Sequence, residues 1–546
     1  MKHILGLFLL LLLLLTANCS SSKNTNPEYI FLITLDTTRA DHIDYSLSGN
    51  QLTPNLAKLA SQGHYFEHAY SLIPITLPSH ASIFYSLPPH RLRIYNNGQL
   101  QKVPETTVTQ LLKEKQYATG AVISLGVLKK DFGLDKGFDR YIENFKPYLW
   151  KKRAEEVNED AFKLIRETLR GARGETGRKF FFWLHYSDPH EPYFPPHEDE
   201  GGRFRVSLND KEVFVSRSTE EPLVNIEIPV KPGKNSLSFE TEIPPEVEIF
   251  PSCTVEYIKY RDFSLESPES GMEITLPDNW NTKKNRTGIN YYSKERNSRI
   301  FLFNRSGETI PVKLRFIHSL RVNDGARKAF YREEVKYMDR RLGELFEFLK
   351  AKNIYDNAVF IIMGDHGEGL GEYRGYFGHI HFLNQPAVNV PLIIAGKGIK
   401  PEGKREEVVS CLNVAPTILD IAGIPKPGFM QGQSLLKPLA RTRLLLETYS
   451  PEAYFDAFSI IDYPFQLIFY PGRRKEKLEF LNLEKGLRNK TSGVVKKIEK
   501  INSREKIRTQ MVNDLLKISR ILTATKGKVG KVSERHREIL KSLGYL

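Results

Sequence analysis

The segment Tyr29-Ile-Phe-Leu-Ile-Thr-Leu-Asp36 is an apolar run that ends in a carboxylate. Two later segments repeat this pattern, Phe180-Phe-Phe-Trp-Leu-His-Tyr-Ser-Asp-Pro-His190 and Ala358-Val-Phe-Ile-Ile-Met-Gly-Asp-His-Gly367. Such apolar runs are typical of strands that are buried on both faces of a parallel sheet. Because ligands of open parallel sheets bind outside the carboxyl ends of the strands, the three endings predict one convergent site.

The pattern along the chain predicts an α/β fold that is interrupted by an all-β insertion. In 28–199 and 323–442, β-rich runs alternate with helical patterns, which indicates a central, mostly parallel sheet flanked by helices. Residues 200–322 alternate with period two between turn residues, which predicts an inserted β-sandwich-like domain. Residues 443–546 are expected to form a small C-terminal subdomain and a basic helical tail.

Composition and charge set the class of protein and its partners. The 546 residues are 40% hydrophobic and 26% charged, which allows a full core and more than one domain. The net charge is +14, and residues 473–546 alone hold 21 Lys/Arg against 8 Asp/Glu, a difference of +13. This tail is either a solvated helix face or a contact for anionic lipid headgroups or an anionic polymer. Nucleic acid is not an expected partner, because the N-terminus resembles an export signal.

That export signal lies in residues 1–19. Lys2 and His3 precede a leucine-rich run to Leu15, which is too short for a membrane span and typical of a signal peptide. The following Leu15-Thr-Ala-Asn-Cys19 resembles a bacterial lipobox, although Asn18 is unusual there and ordinary cleavage is the alternative. We expect an exported lipoprotein of the cell envelope, periplasmic or at the surface, anchored to the membrane through lipid on Cys19.

Three residues at the strand ends are candidate metal ligands. Asp36, Asp365 and His366 supply the oxygen and nitrogen donors that a divalent cation needs. A lone aspartate in such a place is more often a loop carboxylate or a helix N-cap. Their shared position at strand ends favours a metal site.

A further set of segments carries a family resemblance. Ser71-Leu-Ile-Pro-Ile-Thr-Leu-Pro-Ser-His-Ala-Ser82 stands with Leu32-Ile-Thr-Leu-Asp36-Thr-Thr-Arg-Ala-Asp-His42, Thr53-Pro-Asn-Leu56 and Gly364-Asp-His-Gly-Glu368. Together they resemble the sulfatase family of the alkaline phosphatase superfamily, over most of 28–196 and 331–436. The resemblance implies that the chain has the α/β fold of that superfamily and that it hydrolyses sulfuric or phosphoric esters.

The resemblance also implies a nucleophile. The family position that matches Thr76 opens a Cys/Ser-x-Pro-Ser-Arg motif, whose first residue is oxidised to formylglycine, but here the motif reads Thr76-Leu-Pro-Ser-His80. Threonine is not a substrate for that oxidation, and an unmodified threonine resembles the phosphoryl-transfer branches of the superfamily. We therefore expect Thr76 itself to attack the ester and form a covalent intermediate. A divalent cation (Ca, Mg, Mn or Zn) would activate it at the metal ligands Asp36, Thr76, Asp365 and His366.

Three histidines complete the expected site. His80 replaces the family arginine and would place a weaker, titratable donor beside the nucleophile. By resemblance, His190 would contact the leaving or a substrate oxygen, and His379 the anionic group. Asp188, His190 and His379 could instead form a second metal site, while Asp188 also fits a turn before Pro189.

These residues predict an exported, metal-dependent ester hydrolase whose substrate is an anionic ester on a glycan or lipid headgroup. One alternative is a phosphoryl-group transferase that acts on envelope lipid or glycan. Another is a catalytically degenerate lipoprotein of the same fold that only binds glycan or lipid. The retained Thr76, Asp36 and Asp365-His366 argue against the second alternative, because a scaffold would not need these groups at strand ends.

Overall fold

The computed structural model describes residues 27–45, 51–99, 103–145, 150–171, 177–191, 193, 204–216, 223–241, 255–266, 272–276, 281–284, 289–293, 297–373, 375–441, 443–449, 455–471, 477–483, 510–519 and 522. The predicted signal peptide and lipobox lie outside the described residues, as does most of the basic tail. Within the described ranges, no helix has the length and apolar character needed to cross a membrane.

The strands fall into one central sheet and several smaller ones. In chain order they are β1 (Tyr29–Leu35), β2 (Gly63–Tyr70), β3 (Ala118–Val122), β4 (Arg140–Ile142), β5 (Phe180–Tyr186), β6 (Phe204–Leu208), β7 (Lys211–Ser216), β8 (Leu223–Val230), β9 (Gly233–Thr241), β10 (Val255–Glu266), β11 (Met272–Thr275), β12 (Asn281–Lys284), β13 (Ile289–Ser293), β14 (Asn297–Asn304), β15 (Ile310–Val322), β16 (Ala358–Gly364), β17 (Gly369–Tyr373), β18 (Tyr376–Gly378), β19 (Leu392–Gly396), β20 (Gly403–Ser410), β21 (Leu444–Thr448), β22 (Ala457–Asp462), β23 (Phe465–Tyr470) and β24 (Lys477–Asn482).

The central sheet has eight strands in the order β20-β2-β19-β16-β1-β5-β3-β4. Neighbouring strands are parallel except at β19, which runs antiparallel to both β16 and β2. In the register of the sheet, Leu35 lies opposite both Gly364 and Tyr186. The three central strands β1, β5 and β16 therefore end together, and the polar residues that follow them meet at one edge. The mostly parallel α/β fold predicted from the sequence is confirmed.

Helices cover the faces of this sheet. They are Pro54–Ala60, Thr76–Tyr85, Pro89–Leu92, Val108–Glu114, Ala154–Gly171, Asp324–Ala351, Gln385–Val388 and Val414–Ala422, with single 3-10 turns at Ala40–His42, Gly126–Leu128, Lys130–Phe132, Tyr355–Asn357 and Cys411–Asn413. The longest begins after Asn323, whose side chain accepts a hydrogen bond of 2.9 Å from the Ala326 amide and so caps the helix. It packs on helix Ala154–Gly171, where the rings of Phe162 and Phe348 stack at 4.1 Å.

The insertion forms two antiparallel five-stranded sheets, β12-β13-β10-β15-β8 and β11-β14-β9-β6-β7. None of its described strands pairs with the eight-stranded sheet. Buried aromatic rings join the two sheets: Phe204 lies 5.8 Å from Phe316, and Phe239 lies 5.3 Å from Tyr260. This packing confirms an inserted all-β part that resembles a sandwich.

The C-terminal region forms its own antiparallel sheet of β21, β22, β23 and β24. Residues 510–519 are helical, and Met511 and Leu515 from this helix pack with Tyr449 and Phe458 in a separate apolar cluster. A small C-terminal subdomain was expected, and these elements provide it.

Candidate active site

Asp36, Asp365 and His366 converge at the carboxyl edge of the central sheet. The Asp36 amide donates to the Tyr186 carbonyl at 2.8 Å, which fixes the turn that follows β1. All three side chains are fully buried, and one donor atom from each lies within 4.8 Å of the other two. The expected metal ligands are therefore close enough to share one ion.

The carboxylates leave oxygens that fit a cation. Asp36 Oδ2 lies 3.3 Å from His185 Nε2, and Asp365 Oδ1 accepts hydrogen bonds from the amides of Thr37 and His366 at 3.2 and 2.7 Å. Asp36 Oδ1 and Asp365 Oδ2 have no hydrogen-bond partner among the described residues. Buried oxygens left in this state are costly unless an ion or water satisfies them, so the donor set fits a divalent cation.

The electrostatics of the pair agree with this. Burial raises the pKa of Asp365 well above its ordinary value, and the adjacent Asp36 raises it further. Burial also opposes ionisation of Asp36, but the hydrogen bond from His185 and the nearby His366 hold its pKa below the usual range. Two buried carboxylates repel each other when both are ionised, and a cation between them would remove that repulsion.

Thr76 is the first residue of helix Thr76–Tyr85. The preceding Ile75 occupies the cap position, and no side-chain hydrogen bond caps this helix, so the Thr76 hydroxyl is not used as an N-cap. Instead, Thr76 Oγ1 lies 3.2 Å from His366 Nε2. His366 Nδ1 lies 3.1 Å from the Gly367 carbonyl, to which it can only donate, and this leaves the Nε2 lone pair toward the hydroxyl or a cation.

His80 contacts the backbone of Thr76, and both of its ring nitrogens have hydrogen-bond partners. Trp183 Nε1 donates to Thr34 Oγ1 at 2.9 Å, and Thr34 Oγ1 lies 3.0 Å from His80 Nε2. His80 Nδ1 is 2.8 Å from the Thr76 carbonyl oxygen, to which it donates. The Thr34 hydroxyl then donates to Nε2 of a neutral imidazole. Burial and the neighbouring His185 lower the pKa of His80 to about 3, which agrees with the neutral form.

This placement corrects the expectation for His80. Because both of its ring nitrogens are used in the chain from Trp183 to the Thr76 carbonyl, the imidazole positions the helix start and does not donate to a substrate beside the nucleophile. A second group of potential metal ligands, His80, His185 and Asp365, meets the same distance condition. We favour Asp36, Asp365 and His366, since the nitrogens of His80 are already engaged.

His190 and His379 both reach the site. Their rings lie 5.5 Å apart, and the ring of His379 lies 4.3 Å from that of His366. His379 Nδ1 is 3.3 Å from Glu368 Oε1, while His190 Nδ1 donates to the Glu191 carbonyl at 2.7 Å. Burial lowers the pKa of both imidazoles, that of His379 to about 4. The ring of His379 thus lies beside His366, and the ring of His190 lies beside His379.

The alternative second metal site, made of Asp188, His190 and His379, is not formed in the structure described. Asp188 Oδ1 accepts a hydrogen bond of 3.0 Å from the Ala154 amide and lies 3.8 Å from Arg153 Nη1. Asp188 therefore accepts a hydrogen bond from the first amide of helix Ala154–Gly171. In the ranges that the structure describes, no group able to share one ion contains Asp188, His190 or His379.

Two site residues were not singled out from the sequence. His185 lies inside the apolar run of β5, and its Nε2 lies 3.3 Å from Asp36 Oδ2. Glu368 is fully buried next to His379, and burial raises the pKa of its carboxyl well above the ordinary value. The available signals were a histidine in an otherwise apolar strand and a glutamate two residues after a metal-ligand candidate.

Comparison with known proteins identifies the family. A family model described as Sulfatase matches residues 28–424. A second model, described as N-sulphoglucosamine sulphohydrolase, C-terminal, matches residues 371–514. The first match alone covers more than half of the chain.

The curated relatives match this chain either at low identity or over only part of its length. N-acetylglucosamine-6-O-sulfatase of Bacteroides thetaiotaomicron is 23% identical over 437 residues, which cover 78% of this chain and 72% of that protein. Arylsulfatase K of Canis lupus familiaris is 35% identical over 109 residues, only 20% of each chain. The chain thus matches a fifth of the arylsulfatase and almost three quarters of the bacterial enzyme.

Solved structures share the fold. A protein held with its substrate D-glucosamine-2-N,6-O-disulfate has a TM-score of 0.57 and 17% identity, covering 92% of this chain and 100% of that one. A protein in the alkaline phosphatase superfamily from Vibrio parahaemolyticus has a TM-score of 0.51 and 18% identity, covering 92% and 88%. With the family match across 28–424, the strand-end site and this shared fold, the chain belongs to the sulfatase family.

Proposed function

We propose that the protein is an exported, divalent-metal-dependent hydrolase of sulfate esters that uses Thr76 as its nucleophile. The observation that carries the proposal is the position of Thr76 Oγ1, 3.2 Å from His366 Nε2, which itself lies 3.5 Å from the unsatisfied Oδ2 of Asp365. Thr76 also lies at the start of a helix, and this position favours a bound anion because the helix amides there carry partial positive charge.

The metal would be held by Asp36, Thr76, Asp365 and His366. Three oxygens and one imidazole suit Ca, Mg, Mn or Zn, and the donor types alone do not choose among them. When bound, a divalent cation favours the alkoxide form of a coordinated hydroxyl and offsets the charge of substrate oxygens.

In the proposed reaction, Thr76 Oγ1 attacks the sulfur of the ester. The Thr76 proton passes to the neutral imidazole of His190 or His379, the new bond joins Thr76 to sulfur and the bond from sulfur to the sugar oxygen breaks, and the departing oxygen takes that proton from the imidazole. Water then attacks the sulfur of the threonine sulfate, the bond from sulfur to Thr76 Oγ1 breaks, hydrogen sulfate is released, and the second proton of the water restores the Thr76 hydroxyl. His80 takes no part in the bond changes and holds the Thr76 carbonyl through its 2.8 Å contact.

The proposed substrate is a sulfated sugar. The named relatives include an N-acetylglucosamine-6-O-sulfatase, and a similar fold was solved with a disulfated glucosamine as its substrate. A phosphate ester is the second candidate, favoured by one observation: the residue at the nucleophile position is a threonine, whose hydroxyl acts without conversion to an aldehyde.

The location is proposed from residues 1–19 alone. Export and a lipid anchor at Cys19 would place the enzyme at the cell envelope, where sulfated glycans and lipid headgroups are accessible.

A substrate panel tests the proposal. The metal-free full chain is assayed on matched aryl sulfate, phosphate, phosphodiester and phosphonate esters after addition of Ca, Mg, Mn or Zn. The expected result is turnover of the sulfate ester that depends on one of the cations. Preferred turnover of a phosphate ester supports the second candidate, while absence of turnover on every ester with metal bound contradicts both.

A further inference from the structure

A short antiparallel hairpin, made of β17 and β18, connects the segment of the metal ligands to His379. Gly369 in β17 pairs with Gly378 in β18. Continued by one residue, this register places Glu368, which precedes β17, opposite His379, which follows β18. The hairpin therefore brings a carboxyl group that the proposed reaction does not use to a histidine that the proposed reaction does use.

Two glycines allow the close approach within this hairpin. A Cβ at Gly369 would lie 2.8 Å from the Gly378 carbonyl oxygen, and a Cβ at Gly378 would lie 2.7 Å from the Tyr376 hydroxyl. Gly378 also has a φ of +124°, in the region that favours glycine. A side chain at Gly369 would push the strands apart and one at Gly378 would be strained, so the sequence at both positions favours the closed hairpin.

The carboxyl group of Glu368 contacts His379 inside the protein. Glu368 Oε1 lies 3.3 Å from His379 Nδ1, the Glu368 side chain is fully buried, and His379 is only 5% exposed. The ring of His379 also lies 4.3 Å from the ring of His366 and 5.5 Å from that of His190. A buried contact of this kind restricts rotation of the imidazole, because rotation would remove the partner of a buried polar atom.

Glu368 is itself held by hydrogen bonds of its backbone. Its amide donates to the Pro386 carbonyl at 2.9 Å, and its carbonyl accepts a hydrogen bond of 3.2 Å from Arg39 Nη1. The guanidinium of Arg39 also contacts the carboxylates of Asp41 at 2.7 Å and Glu372 at 2.5 Å. Arg39 therefore connects the segment after β1 to the start of the hairpin, and this connection fixes the position of Glu368.

We propose that Glu368 is a positioning residue for His379 and holds its imidazole in the orientation that the reaction at Thr76 requires. Glu368 acts through the ring and takes no part in the bond changes. The inference rests on the proposed function, because it assumes that His379 contacts the substrate or its departing oxygen. A buried carboxyl group is costly, and this role accounts for its presence two residues after His366.

A double-mutant cycle on the full chain with its cation tests the proposal. Glu368→Ala removes the contact, Glu368→Gln keeps an amide within reach of Nδ1, and each is combined with His379→Ala. Glu372→Gln is the matched control, because Glu372 is a carboxylate of the same hairpin that contacts Arg39 and the Leu370 amide. The measurements are kcat on the best ester of the panel, metal content by elemental analysis, and fold by circular dichroism.

With His379 present, kcat should fall about tenfold or more in Glu368→Ala and less in Glu368→Gln. With His379→Ala, neither change at Glu368 should lower kcat by more than about twofold, because the ring to be positioned is gone. Glu372→Gln should have the same effect in both backgrounds. Equal losses from the Glu368 variants with and without His379, or loss of their bound metal, would overturn the proposal. If Glu368→Ala does not fold, the cycle with Glu368→Gln decides.

A spectroscopic measurement separates this proposal from the proposed function. In the nuclear magnetic resonance spectrum of the full chain with isotope-labelled histidine, the ring signals that disappear in His379→Ala belong to His379. They should shift in Glu368→Gln and stay in place in Glu372→Gln, because Glu368 contacts Nδ1 of this ring. If no ester is turned over, the proposed function fails and the shift alone decides whether Glu368 positions the ring. Unchanged His379 signals in Glu368→Gln would overturn the proposal even in an active enzyme.

Discussion

Thr76 Oγ1 and His366 Nε2 lie 3.2 Å apart and join the first turn of a helix to the end of strand β16. The other nitrogen of His366 faces the Gly367 carbonyl at 3.1 Å, so the ring cannot present a second proton to Thr76 while it is neutral. Burial, together with the neighbouring His379, lowers the pKa of His366 to about 3 and keeps the ring neutral near pH 7. The hydroxyl therefore meets a lone pair, which suits a base or a shared metal ligand.

The carboxylates of the proposed metal site should control metal content. Asp36→Asn or Asp365→Asn removes a charge from the group whose donor atoms lie within 4.8 Å of one another, and we expect bound divalent metal to fall about tenfold or more. Metal is measured by elemental analysis after dialysis against a fixed free concentration. Asp420→Asn is the control, because Asp420 pairs with Lys437 at 2.7 Å away from the site. Unchanged metal content in both site variants would contradict the ligand assignment.

The chain of contacts from Trp183 to Thr34 and His80 should stabilise the fold beneath the nucleophile. Thr34→Val keeps the shape of the side chain but leaves Trp183 Nε1 and His80 Nε2 without their buried partner. We expect a loss of about 1–3 kcal/mol in the free energy of unfolding, measured by urea denaturation. Thr34→Ser retains the hydroxyl and should lose clearly less. If valine and serine had equal effects, the hydroxyl network would carry no stability.

Asp339 should make the stability depend on pH. Its carboxylate accepts hydrogen bonds from the amides of Asn55 and Leu56 at 3.0 and 2.9 Å, but burial raises its pKa to about 6. The folded state then holds a proton that the unfolded state has lost between about pH 4 and pH 6. Stability should therefore fall as pH rises through this window, by up to about 3 kcal/mol.

Asp339→Asn is the matched variant for this effect. It cannot titrate, so its free energy of unfolding should lack that part of the slope between pH 4 and pH 6, even though it is less stable overall. The measurement is urea denaturation of both proteins at several pH values. Parallel pH profiles for the two proteins would show that Asp339 is already ionised at pH 4.

The anchor prediction concerns Cys19, which lies outside the described ranges, and the basic tail, most of which does. Cys19→Ala should prevent lipid attachment, and the +13 charge of residues 473–546 should leave a weaker membrane association. Salt should release this remainder, because exposed charges are screened within about 10 Å at 0.1 M. Fractionation of membranes with and without salt gives the readout. If the membrane association of Cys19→Ala resists salt, or if the wild type carries no lipid, the lipid and the basic tail do not act together as membrane anchors.

The sequence predicted those parts of the site that depend on strand ends. Asp36 and Asp365 were predictable because apolar runs locate β1 and β16, and the register of a parallel sheet brings their ends together. His80 was misjudged, since a four-residue helical spacing returns its ring to the Thr76 carbonyl, a backbone contact that residue types do not reveal. His185 was missed because one histidine in an apolar strand is usually a core residue.

The central claim is that the Thr76 hydroxyl is the nucleophile, and the most direct measurement compares kcat/KM of wild type, Thr76→Ser and Thr76→Ala on the best ester with the cation added. Thr76→Ser keeps a hydroxyl and should retain measurable activity, whereas Thr76→Ala should lose about a thousandfold or more while its circular dichroism is unchanged. Equal kcat/KM for wild type and Thr76→Ala would contradict the account.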